Sequence, residues 1–234
     1  MTAINVIRQA NSVHILSDGL YCNSDGIICE IGPNAFALPH LPAAVAIRGP
    51  THFMPFLVHR LNRECGSFDD LLARIVSIAL EVHISVPMTL GSGPVTPEFD
   101  LVAVGWSSQR SRPESFLITN QEFGDLDEKR KGAWKLIELP DVLIAPVVGV
   151  QQTRFLRWKI PDSAESFKPE TDGVKLLMAQ RLSKGLHQRY KDPKRDFESV
   201  GGFVHLTTVS ANAVSSAVLH RWPDKPGQKV VPKT

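Results

Sequence analysis

Cysteine is scarce in this chain. Cys22, Cys29 and Cys65 are three in number, so they cannot all pair internally, and no CxxC pair exists. This excludes a disulfide framework and a zinc site of the CxxC kind, and it points to a reducing compartment. No Cys sits in a recognisable nucleophile signature, so small buried side chains are expected at these positions. Long apolar runs are missing too. Residues 41–47 and 141–150 are the longest, well short of the roughly 20 residues that cross a bilayer. Asn5, Arg8, Gln9 and Asn11 break up the opening residues, which therefore lack the apolar core of a signal peptide. The sequence predicts a soluble, cytoplasmic protein with no membrane partner.

A surplus of one charge is also absent. Twenty-six Lys and Arg against 24 Asp and Glu leave a net charge of +2, too close to balance to imply a nucleic-acid partner. The basic run over residues 181–195 is interrupted by Asp192 and offers only Tyr190 for stacking, so it reads as a solvated helix end and loop. The eight His residues are dispersed, with no HxxxH or HExxH spacing, and neither a metal site nor a cofactor is expected.

What is present is an ordinary globular composition, 43% hydrophobic and 21% charged over 234 residues, enough for one large domain. Short β-like runs INVI and SVHILS around a polar tract read as a hairpin. The turn dipeptides Asp18-Gly19 and Asp25-Gly26 follow, then GIICEIG, and then two strands before Gly49-Pro50. Residues 51–63 carry Phe53, Phe56, Leu57 and Leu61 at helical spacing, with Pro55 in the first turn.

Ser67 caps the clearest helix, with Asp69 and Asp70 at the favourable end of its dipole. Leu71, Leu72, Ile75, Val76 and Ala79 are expected to be buried there. Residues 88–98, with two Gly and two Pro, read as a loop before a second hairpin. Residues 134–139 and 142–150 read as strands or buried connections. Residues 171–184 read as a helix ended by Gly185, and two further β-like runs meet about residues 210–213. Residues 224–234 read as a mobile polar tail after a single domain over 1–223. Helices following each block of strands suggest a sandwich of sheets with helices outside.

The opening resembles the proteasome β-subunit family and its stand-alone bacterial and phage-type relatives among the N-terminal nucleophile (Ntn) hydrolases. Those proteins begin with Thr and run through a hairpin to an Asp. A Lys follows sixteen residues later, then a Gly-terminated strand and two long helices. Here Thr2 is followed sixteen positions later by Asp18, and sixteen after that stands Asn34; NAFALPHLPAAVAIRG then has the outline of the strand, turn and Gly-terminated strand. The match covers about the first 85 residues, and the last third in outline, through a late helix and a strand beginning with Gly201-Gly202.

The resemblance implies an α+β fold, a four-layer αββα sandwich of two antiparallel sheets with helices on both outer faces. It also implies a homo-oligomer or an assembly with other subunits. Carried over, Thr2 is the nucleophile and Asp18 the orienting carboxylate, while Asn34 stands where the Lys would lower the cost of deprotonation. The family's Gly-Ser-Gly turn should follow the second hairpin, whereas Gly91-Ser92-Gly93 precedes it. Two functions follow as expectations. One is a degenerate, non-catalytic component of an assembly such as a phage or prophage particle. The other is an N-terminal-threonine amidohydrolase or peptidase, acting on a peptide or other amide once Met1 is removed. On the first, Thr2 is merely a surface-accessible residue at the start of a strand.

Overall fold

The structure is a computed structural model that describes residues 2–23, 25–49, 51–85, 99–121, 133–183 and 200–231. The first hairpin is β1 (Ile4–Gln9) and β2 (Ser12–Asp18). A smaller hairpin, β3 (Leu20–Cys22) and β4 (Ile28–Ile31), follows directly after Gly19. Then come β5 (Ala35–Leu38) and β6 (Ala43–Arg48), a 3-10 turn at Thr51–Phe53, and helices α1 (Met54–Glu64) and α2 (Phe68–Ser85). The second long hairpin is β7 (Asp100–Ser107) and β8 (Arg112–Thr119). After it run the short strands β9 (Ile137–Glu138) and β10 (Val142–Ala145), helices α3 (Val150–Phe155) and α4 (Pro169–Leu182), and the hairpin β11 (Phe203–Ser210) and β12 (Val214–Arg221).

These strands form three antiparallel sheets in a mixed α/β fold. One has the order β10-β1-β2-β11-β12, another β5-β6-β7-β8-β9, and the third is the β3-β4 pair. Both five-stranded sheets bury side chains on two faces, and the alternation within each strand sorts the core into layers. Val45 and Ile47 of β6 join Leu101 and Ala103 in a cluster with Met54, Leu57, Leu61, Phe68, Leu71 and Ile75 of α1 and α2. Their neighbours Ala44 and Ala46 join Val102 and Val104 on the other face, packed with Ile4, Val6, Val13, Ile15 and Val209 of the other sheet. On that sheet's far face, Ile7, Leu16, Val204 and Leu206 pack with Leu176, Leu177 and Ala179 of α4.

Local chemistry explains the helices that the spacing predicts. Pro55 sits in the first turn of α1, where its missing N–H costs nothing. The Ser67 hydroxyl accepts the Asp70 N–H at 3.1 Å, and the Asp70 carboxylate accepts the Gly66 N–H at 3.0 Å, closing the α2 start reciprocally. Leu71, Ile75 and Ala79 are fully buried as expected, whereas Leu72 and Val76 are only partly so, because they flank the stripe rather than centre it. Leu71→Ala should therefore cost about 2–5 kcal/mol as a cavity in the α1–α2 layer. Urea titration checks this, and Leu72→Ala should cost clearly less.

Residues 142–150, read as a strand or a buried connection, supply strand β10 as far as Ala145, after which the chain turns into α3, a helix with no buried residues and hence no apolar periodicity to betray it. Residues 224–231 are not a free tail. The Asp224 side chain and Val230 are buried, and Lys229 bridges to Ile27. Gly91-Ser92-Gly93, Gly185 and residues 187–196 lie outside the described residues.

Candidate functional site

Thr2, Asp18 and Asn34 converge where β1, β2 and β5 begin or end. Asp18 closes β2, and its carboxylate is fully buried. Oδ1 accepts the Ala3 N–H at 2.9 Å, and Oδ2 accepts the Gly201 N–H at 3.0 Å. Asn34, also fully buried, donates its Nδ2 to the Asp18 main-chain oxygen at 2.7 Å. Thr2 is 6% exposed and lies ahead of β1, which corrects the reading of a surface-accessible strand residue. The start of the chain is drawn inward because the next peptide N–H is held by Asp18.

The chemistry of this grouping differs from that of an activated hydroxyl. Among the described residues no Lys or Arg side chain hydrogen-bonds Asp18. Burial pushes the Asp18 carboxyl up to about 7; the Gly201 and Ala3 N–H groups, and the positive charge at the start of the chain, pull it back only in part. Asn34 meets the Asp18 backbone and not its carboxylate, so the Asp does not orient the residue standing where a cation would be needed. Asn34 Oδ1 and Ser17 Oγ are buried and meet no hydrogen-bond partner among the described residues.

The resemblance marks Gly201-Gly202 only as the start of a late strand, whereas the structure shows that this pair completes the arrangement. Gly202 has φ +72, a backbone that side chains rarely adopt, and a Cβ there would meet the Gly19 carbonyl oxygen at 2.9 Å. The turn lets successive N–H groups serve two buried carboxylates, Gly201 to Asp18 and Gly202 to Asp224 Oδ2 at 2.7 Å. Asp224 in turn forms a bidentate pair with Arg181 of α4, at 2.8 Å for each bond. Arg181 also donates to the Val200 and Val231 carbonyls and lies over the Trp222 ring. The double glycine is the signal that could have led there, whereas nothing local marks Asp224 in its polar surroundings.

Among the described residues the other titratable groups make no second centre. His14 is buried, with Nδ1 at 2.9 Å from Thr208 Oγ1 and Nε2 at 3.0 Å from both Ser12 Oγ and Gln9 Oε1. The Gln9 amide nitrogen is committed to the Ala164 and Phe167 carbonyls, so Oε1 must accept from His14 Nε2. That fixes Nε2 as a donor and removes it as a base for Ser12. Among the described residues no group of three or more His, Cys, Asp or Glu could hold a metal ion, and no helix is long and apolar enough to cross a membrane. No protein-family model matches the chain, and no curated protein matches it.

Proposed function

We propose that the chain is a degenerate relative of the Ntn hydrolases, a four-layer αββα sandwich that performs no catalysis and serves as a structural component of an assembly. The observation that carries this reading is the use made of Asp18. Both carboxylate oxygens are spent on main-chain N–H groups that tie the chain start and the residues before β11 to the end of β2. Asn34 adds a third tie to the same residue. A hydroxyl of high pKa is unusable at neutral pH without a base or cation to help it, and here the polar groups around Thr2 hold backbone. The αββα part of the reading is supported by the two five-stranded antiparallel sheets with a shared cluster between them and helix-facing clusters beyond.

The assembly part is supported by exposed apolar side chains gathered on one segment. Val147, Val150 and Phe155 are 69%, 64% and 67% exposed, directly after the edge strand β10. Such concentration favours a protein contact over solvent. On this reading copies of the chain associate, in the cytoplasm or within a particle such as that of a phage. Sedimentation velocity over a range of concentrations should find species heavier than the 25.8 kDa chain. The double variant Val150→Asp, Phe155→Asp should shift them toward monomer. A wild-type monomer at every concentration would count against self-assembly.

A further inference from the structure

Each five-stranded sheet ends in two edge strands, and β12 differs from the other three. β5 and β10 have 4 residues each, β5 with Pro33 and Pro39 close on either side and β10 running into Pro146, while β9 has 2. Short edges next to proline recruit a further strand poorly. β12 has 8 residues, with no Pro, Lys, Asp or Glu and Arg only at its end, and Ser215, Ser216, Ala217 and Val218 are exposed. The Ser210 N–H donates to the Ala213 carbonyl at 2.9 Å and closes the β11–β12 hairpin. Alternate residues of an antiparallel pair turn their N–H and C=O toward the partner. Counted from that bond, Ser215 and Ala217 serve β11, opposite Thr208 and Leu206. Val214, Ser216 and Val218 therefore aim their main-chain groups outward, where among the described residues no strand lies beyond them. The irregularity in the β11–β12 register begins only past Val218, so this stretch of edge is regular.

We propose that β12 pairs with β12 of a second copy of the chain, antiparallel about a two-fold axis centred on Ser216. In that register Ser216 meets its own counterpart, Val214 meets Val218 of the second copy, and Ser215 meets Ala217. Each of Val214, Ser216 and Val218 then exchanges its outward N–H and C=O with the residue opposite. The exposed Val218 is covered by Val214, a β-branched cross-strand pair, while Ser215 and Ala217 are small enough to leave the other face open. Arg221 falls beside the Ala211-Asn212 loop of the second copy, so the two like charges stand at opposite ends of the ribbon. A strand that matches itself in bonds, shape and charge about a two-fold axis favours its own copy over an unrelated strand. The proposal gives the assembly reading a defined contact and rests on that reading's premise that copies associate. It lies at the opposite edge of the sheet from β10, and so does not depend on Val147, Val150 or Phe155.

The test is disulfide trapping with oxidised glutathione in the full chain carrying Cys22→Ser, Cys29→Ser and Cys65→Ala. Ser216→Cys should give a covalent dimer, because a hydrogen-bonded cross-strand pair sets the two Cα atoms about 5.5 Å apart, within the span a disulfide bridges. Val214→Cys alone and Val218→Cys alone should not, each lying roughly 14 Å from its own counterpart, whereas a mixture of the two should cross-link. In the otherwise unaltered chain Val218→Lys should shift sedimentation toward smaller species with the urea midpoint unchanged. Ser216→Pro, which removes an N–H that β11 does not use, should do the same. No dimer from Ser216→Cys, or equal cross-linking in all three single variants, would overturn the proposal. If heavier species of the unaltered chain persist in that case, the assembly reading stands without this contact; a monomer at every concentration overturns both.

Discussion

Replacing Asp224 by Ala should lower stability by about 3–5 kcal/mol, the cost of stranding one partner of a buried ion pair. Arg181 and Asp224 have side chains only 3% and 5% exposed. Without Asp224 the guanidinium keeps its bonds to the Val200 and Val231 carbonyls but loses its counter-charge, and the Gly202 N–H loses its acceptor. The Arg181–Asp224 pair fastens the end of α4, the Gly201-Gly202 turn and the C-terminal segment to one another. The double variant Arg181→Met, Asp224→Leu should cost less than Asp224→Ala, because it removes both charges together. Urea unfolding of the three proteins measures this. A loss under about 1 kcal/mol for Asp224→Ala would place the pair among surface bridges of little worth.

The second large effect is a dependence on pH that runs opposite to that of a typical paired carboxylate. The Asp18 carboxyl is raised in the folded chain from 3.8 to about 7, chiefly by burial. Between these values the folded state holds a proton that the unfolded state has released, so stability falls as pH rises through the interval and levels off above it. At 1.36 kcal/mol per pH unit the group accounts for up to about 4 kcal/mol lost between pH 4 and pH 7. Glu64, held down to about 2 by hydrogen bonds from Arg60 and Arg63, acts in the opposite sense and at lower pH. Unfolding at pH 5 and pH 8 should therefore show wild type losing stability over the interval and Asp18→Asn losing much less. Equal losses in the two proteins would mean that Asp18 titrates as it does in the unfolded chain.

Much of the β-rich opening and the α1–α2 pair was legible in the sequence, because period, caps and turn dipeptides agree there. Ser67, Pro55 and Asp25-Gly26 each sit where their chemistry predicts. The spacing of Thr2, Asp18 and Asn34 also anticipates their convergence, since a hairpin and a strand return bring positions sixteen apart back to one end. What it does not reveal is how they bond. Whether Asn34 meets the Asp18 carboxylate or its backbone depends on Gly201, 183 positions along the chain from Asp18. The segment after residue 223 misled for a related reason: it is polar in composition, yet Asp224 is satisfied by Arg181, 43 positions earlier. Helix α3 has no buried face, so no periodic signal exists to read.

On the proposed reading Thr2 is held near Asp18 without becoming a nucleophile. The most direct test of that reading is mass spectrometry of the full chain, and of the chain released at Thr2, after incubation with a β-lactone or epoxyketone. Asn34→Lys is carried alongside, to restore a cation beside the hydroxyl. Unmodified masses are expected for both wild-type forms. An adduct mapped to Thr2 in either wild-type form would contradict that reading and make the chain an N-terminal-threonine hydrolase.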